Sequence, residues 1–270
     1  MKVTTRMIRE GYDGKKCLVH ARMCVMPDGK IISTAQDLNV FGSDLFDGIK
    51  LSVGLGDYIL QKGLSRSILI PVYMGEDERT KYDKYDAAVM RCAFDGERLI
   101  FFEIGNPMKL DVERGFCEPS IVKHEGVYHL TLRNDLNGYH TTSRDGLHFE
   151  EPELWRFDVG EVIPTYNTRQ HWLTCGGKLY LIYTRRGLDN DHVFRHRAPL
   201  VMAEVKDGAV IKDSEVIVAP NRGARLGNFG VCQVIGDENR AFIMVSEWMQ
   251  PRGCEQYGSN NAIWVTEVEA

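Results

Sequence analysis

His171-Trp172-Leu173-Thr174, then Cys175-Gly176-Gly177-Lys178, then Leu179-Tyr180-Leu181-Ile182-Tyr183-Thr184, is the stretch that decides the fold. Two apolar runs rich in aromatic and branched residues flank a turn with two glycines. Glycine supplies the positive φ that a tight hairpin needs, and the flanking runs fit a pleated, buried surface. The same unit recurs outward in both directions. Toward the N-terminus it appears as Ser120–Lys123, His124-Glu125-Gly126, Val127–Leu132, and before that as Ala87–Phe94, Asp95-Gly96-Glu97-Arg98, Leu99–Ile104. The first copy is Cys17–Met26, Pro27-Asp28-Gly29-Lys30, Ile31–Ala35, and the last is Val231–Ile235, Gly236-Asp237-Glu238-Asn239, Arg240–Ser246. No segment carries a capped i, i+3, i+4, i+7 apolar pattern, so helices are not expected.

Five units in 270 residues give about 54 residues each, the size of a four-stranded blade with its loops. The expectation is an all-β, five-bladed β-propeller, with blades near 11–62, 63–110, 111–160, 161–220 and 221–270, and one domain over 1–270. Six blades or a β-sandwich are the alternatives. The alternating run Val3–Ile8 is placed to pair with the final blade and close the ring, which removes an aggregation-prone sheet edge.

Composition narrows the function. Apolar residues are 43% and charged residues 26% of the chain, enough for a sizeable core. A net charge of −5 gives no general attraction to nucleic acid, and no apolar run approaches the length of a membrane span. Neither partner is expected. The seven cysteines are scattered, with no C-x-x-C pair, so neither a zinc site nor a dithiol redox motif is read. No apolar stretch follows Met1–Arg6, so no secretory signal is visible. The expectation is a cytoplasmic protein with reduced cysteines, or a secreted one whose signal was trimmed. No cofactor is expected, no loop signature assigns a structural Ca²⁺, and oligomeric state is left open.

Polar residues interrupt the strands at corresponding places. First strands offer His20 and Arg22, Glu118, Arg169 and His171, and Asn228; second strands end in Gln36 and Asp37, Arg133 and Asp135, Arg185 and Arg186, and Glu247 and Trp248. Burying an unpaired charge costs several kcal/mol, so such groups either pair or face a wet cavity. The structural alternative is ion pairs such as Glu118–Arg133 tying blades together. Arginine is in excess between Arg169 and Arg225, with Arg185, Arg186, Arg195, Arg197 and Arg222 between them. Planar guanidinium forks suit a carboxylate or sulfate, so an oligosaccharide or glycan with an acidic sugar is the expected ligand. Tyr166-Asn167-Thr168-Arg169-Gln170-His171-Trp172 adds an aromatic platform among hydrogen-bonding groups, and Asn190–Arg197 reads as a loop lining the pocket. The pair His192 and His196 would ligate metal only on a helix, which nothing predicts.

Ser143-Arg144-Asp145-Gly146-Leu147-His148-Phe149 resembles, one residue short, the Asp-box turn of the sialidase-like BNR-repeat propellers. Val19-His20-Ala21-Arg22 is similar to the arginine-bearing first-strand region of that family, although Ile-Pro does not follow Arg22. Cys117-Glu118-Pro119-Ser120 is similar to the acidic-Pro-Ser strand of five-bladed glycosidases. The resemblance implies a glycosidase-like propeller in which Arg22 binds a substrate carboxylate, with partners among Arg133, Arg185 and Arg225. It makes Asp44 or Asp47 the acid, Glu118 the partner carboxylate, and Tyr166 a nucleophile or stacking residue. Three readings follow: a hydrolase acting on a terminal acidic sugar, a His-dependent lyase or rhamnosidase-type enzyme using His171 or His192, and a non-catalytic glycan binder.

Overall fold

The computed structural model describes residues 1–26, 28–41, 45–46, 59–60, 67–75, 84–95, 97–193 and 197–270. Asp44 and Asp47, and with them the expected acid, lie outside the described residues. Among the described residues everything regular is strand, apart from two short 3₁₀ turns. In chain order the strands are β1 (Lys2–Arg9), β2 (Lys16–Val25), β3 (Ile31–Phe41), β4 (Leu45–Phe46), β5 (Ile59–Leu60), β6 (Ser67–Gly75), β7 (Tyr85–Phe94), β8 (Leu99–Ile104), β9 (Cys117–His124) and β10 (Val127–Arg133). They continue as β11 (Gly138–Ser143), β12 (Glu153–Leu154), β13 (His171–Cys175), β14 (Lys178–Tyr183), β15 (Leu200–Lys206), β16 (Ala209–Val210), β17 (Val216–Ala219), β18 (Gly230–Gln233), β19 (Arg240–Ser246) and β20 (Ile263–Glu269).

The strands form five sheets among the described residues: β2–β4, β5–β8, β9–β12, β13–β17, and β18–β20 with β1. All five hairpins read from the sequence are antiparallel pairs. One sits differently from the rest. β7–β8 is the second half of its sheet, because β5 and β6 come before it. β1 runs antiparallel to β20, with Val3 opposite Val268 and Thr5 opposite Thr266.

Neighbouring sheets stack face to face. β9 lies against β13, β13 against β18, and β18 against β2, so the first strands of four sheets are grouped together. This explains strands that are buried without alternation, such as Leu179–Tyr183 and Ala241–Ser246, whose two faces each meet another sheet. Leu173, Ile182, Leu226, Phe229, Ile243 and Val268 form one core between the last two sheets. Trp155, Phe157, Trp172 and Leu181 form another one sheet earlier. Each fully buried aliphatic or phenyl side chain there stabilises the fold by about 1.5–3 kcal/mol.

Ser143–Phe149 closes on itself. The Asp145 carboxylate accepts from the Leu147 and His148 amides at 2.8 Å, and the Ser143 hydroxyl accepts from Gly146 N at 2.9 Å. The turn thereby buries Leu147 and Phe149, and a Cβ on Gly105 would strike the Leu147 carbonyl. None of the seven cysteines is in a disulfide; six are buried and Cys24 is exposed.

Candidate functional site

His20 and Glu118 share one backbone device. Each is a non-glycine residue in the left-handed region, at φ 54° and 46°. Each sits where the strand register slips, between Val19 and Arg22 on β2 and opposite Thr131–Arg133 on β9. A bulge re-aims a side chain that regular pleating would place on a sheet face, and the strain it stores is of order 1–3 kcal/mol. At both positions a titratable group leaves the stacking faces.

Glu118 is met by arginines. Arg133 Nη1 donates to its Oε2 at 2.8 Å, and Arg169 Nε lies 3.9 Å from Oε1. Arg133 Nη2 also donates to Asp135 Oδ1 at 3.1 Å, and Arg114 grips Asp135 through Nε at 2.6 Å and Nη2 at 2.5 Å. Burial alone would push the Glu118 carboxyl up. The guanidiniums of Arg133, Arg169 and Arg197 outweigh that and hold it at about 2, so it is ionised at neutral pH. Arg197 donates to the Asn167 carbonyl at 2.8 Å and to its side-chain oxygen at 3.1 Å. Among the described residues the group sets four guanidiniums against two carboxylates. The Glu118 side chain remains 20% exposed, with Arg133 at 11% and Arg169 at 13%. Among the described residues the cluster is therefore rich in positive charge and only slightly exposed.

His20 lies in the field of Arg22, Arg169 and Glu118. Its ring meets Trp248 edge-on at 5.0 Å, and Nδ1 is 2.6 Å from Gln36 Oε1. Arg22 donates to the carbonyls of Ala21 at 2.9 Å and Asn228 at 3.4 Å, and its stem packs on Gly230. Tyr73 on β6 feels both Glu118 and Arg169; burial first, then Glu118, raises its phenol, which stays protonated.

Other residues singled out from sequence have partners of their own. Arg185 is filled by Glu215, through Nε at 2.7 Å and Nη2 at 2.5 Å, and Tyr183 donates to the same carboxylate at 2.6 Å. Glu247 is 1% exposed and accepts from Asn260 N at 2.9 Å, Ala262 N at 3.0 Å and Trp264 Nε1 at 3.2 Å, with Arg222 Nε also at 3.2 Å. Arg225 is 1% exposed and donates to Gln250 Oε1 at 2.9 Å. His171 is buried, with Nδ1 3.3 Å from Ser120 Oγ and its ring edge-on to Phe229. His192 is exposed and packs on Tyr257, while Tyr166 lies beneath Arg186. Arg195 and His196 lie outside the described residues.

Sequence reasoning missed Arg114, just before β9, and Tyr73. Because β7–β8 reads as the leading hairpin of its unit, β6 is never compared with the other inner strands. A phenol inside Ile68-Leu69-Ile70-Pro71-Val72-Tyr73 was the available signal. Among the described residues no group of three or more His, Cys, Asp or Glu side chains could hold a metal ion.

No protein-family model and no curated protein matches the chain. Solved structures do. Trypanosoma rangeli sialidase, in complex with 2,3-difluoro-KDN, aligns with a TM-score of 0.50 at 10% identity, over 96% of this chain and 45% of the sialidase. The same sialidase in a second structure aligns at 0.48 and 13% identity, over 99% of this chain and 38% of that one. A Bombyx mori GH32 beta-fructofuranosidase aligns at 0.49 and 12% identity, over 97% of this chain and 61% of that one. The chain thus spans less than half of the sialidase it resembles. At these identities the likeness is one of fold alone.

Proposed function

We propose that the chain is a carbohydrate-active enzyme, a glycoside hydrolase acting on a terminal acidic sugar. On this reading the five sheets are five blades of one propeller domain over 1–270, closed by β1 beside β20, and Ser143–Phe149 is an Asp-box serving the fold alone. The observation that carries it is the convergence of Arg133, Arg169 and Arg197 on the single carboxylate of Glu118. A ligand carboxylate would take hydrogen bonds from Arg133 and Arg169 beside Glu118, where a partly desolvated pair is worth more than in water.

Roles follow from charge. A carboxyl held at about 2 cannot donate a proton at neutral pH, so Glu118 is not the general acid. It is suited to stabilising positive charge at the anomeric carbon, or to accepting the proton of a tyrosine. The tyrosine in its field is Tyr73 rather than Tyr166. The acid itself is left to Asp44.

One observation favours a second reading, elimination at a uronic-acid linkage. His20 is a half-buried imidazole in the field of Arg169, and burial lowers its pKa, so it is neutral and able to take a proton. The product decides between the two. Incubation with oligosaccharides ending in uronic or sialic acid should release the free sugar with no new ultraviolet absorbance. An unsaturated, absorbing product would replace hydrolysis with elimination. Glycan that stays bound and intact after long incubation would leave a binding protein.

A further inference from the structure

His20 has a feature that recognition of a carboxylate does not use. Gln36 sits on β3 opposite Val19, one residue before the bulge that turns His20 to φ 54°. That turn brings the imidazole Nδ1 to 2.6 Å from Gln36 Oε1. An amide oxygen only accepts, so Nδ1 carries the proton and Nε2 carries the lone pair. Gln36 is the ring's one hydrogen-bond partner among the described residues. The other groups around the ring are Trp248 edge-on, Arg22 on its own strand, and Arg169 and Glu118 across the site. Burial, with Arg22 and Arg169, outweighs Gln36 and Glu118 and keeps the imidazole in its neutral form.

Arg133, Arg169 and Arg197 can only donate, whereas Nε2 can only accept. A sulfate ion consists of acceptors: it satisfies the guanidiniums but sets a second acceptor against Nε2. A hydroxylated carboxylate satisfies both, giving its oxygens to arginine and a hydroxyl hydrogen to the imidazole. We propose that Gln36 fixes His20 as an acceptor that reads a ligand hydroxyl, so that the site selects sugar acids over plain anions. His20 is then a specificity residue and Gln36 a positioning residue. The selection rests on the acidic-sugar reading; the tautomer does not.

The test therefore has two arms on the full chain. Nitrogen-15 spectra of histidine-labelled protein, with His20 assigned by its loss in His20→Asn, should show Nδ1 protonated and Nε2 bare. Gln36→Leu should remove that preference and Gln36→Glu should keep it. A wild-type His20 protonated on Nε2 overturns the proposal. In calorimetry, Gln36→Leu should weaken glucuronate by roughly two- to tenfold, the loss of one hydrogen bond, and leave sulfate unchanged; Gln36→Glu should retain the discrimination. Equal weakening of both ligands overturns the selection. A wild-type chain that binds sulfate but not glucuronate overturns the selection together with the acidic-sugar reading, while the spectra still decide what Gln36 does to His20.

Discussion

Glu118 and Glu247 are both carboxylates at strand ends that sequence places in one site, and the structure treats them oppositely. Glu247 is enclosed, held by two backbone amides and an indole, with Arg222 beside it. Those donors cannot leave without unfolding the loop from Asn260 to Ala262. Glu118 has no such cradle among its hydrogen bonds. It faces arginine side chains that outnumber it, and a fifth of its surface stays open. A carboxylate satisfied by fixed backbone donors is a rivet. One balanced by arginine side chains suits the proposed site, where a second anion would share them.

The largest effect expected from this difference is on turnover. Glu118→Gln should cut hydrolysis of an acidic-sugar substrate by roughly 10²–10⁴-fold, the usual scale for a proton-handling or charge-stabilising side chain, with an unchanged circular dichroism spectrum. Undiminished turnover would make Glu118 a second rivet and erase the contrast. Glu247→Gln should act on stability instead. Removing one partner from a buried, charge-assisted set costs about 3–5 kcal/mol, read as a lower urea midpoint, with activity per folded molecule preserved. A stable Glu247→Gln protein with lost turnover would reverse the two roles.

Acid provides a third way to separate them. His129 shares the space between two sheets with Trp172 and His124, and His140 stacks on Trp155 at 4.2 Å. Burial, then His124 and His140, lowers His129 from 6.5 to about 4. The unfolded chain binds this proton first, so the stability it contributes is present above pH 6.5 and is lost as pH falls toward 4. Glu118 loses its contribution only below its unfolded value of 4.5, on the way to about 2. Stability should therefore decline between pH 6.5 and 4, and His129→Gln should flatten that slope while Glu118→Gln leaves it in place. A slope indifferent to His129 would move the acid sensitivity elsewhere. The smallest effect is expected at Arg185. Arg185→Lys replaces a bidentate grip on Glu215 with a point charge, costing about 1 kcal/mol with no change in sugar binding. Altered sugar binding would return Arg185 to the site.

The hairpins were legible because Gly and Asp turns and apolar runs are local signals, written within a dozen residues of each other. The equivalence of His20 and Glu118 was legible for the same reason: both interrupt a first strand soon after its start. What decided the other assignments was not local. Arg185 is claimed by Glu215, thirty residues on, and Glu247 by the amides of a loop more than ten residues away. An interrupted apolar strand reads the same whether its charge meets a loop or a ligand. Tyr73 was hidden by a phase error, since the second sheet begins two strands before the hairpin that announces it. The convergence of Arg133, Arg169 and Arg197 needed two sheets, β9–β12 and β13–β17, to be stacked before it existed.

Calorimetric titration with glucuronate and with its uncharged methyl ester tests the arginine cluster most directly. The account predicts that glucuronate binds at least ~tenfold more tightly than the ester, and that Arg169→Gln abolishes the difference, since it rests on charge-assisted hydrogen bonds. Equal binding of acid and ester, or a preference that survives Arg169→Gln, would contradict it.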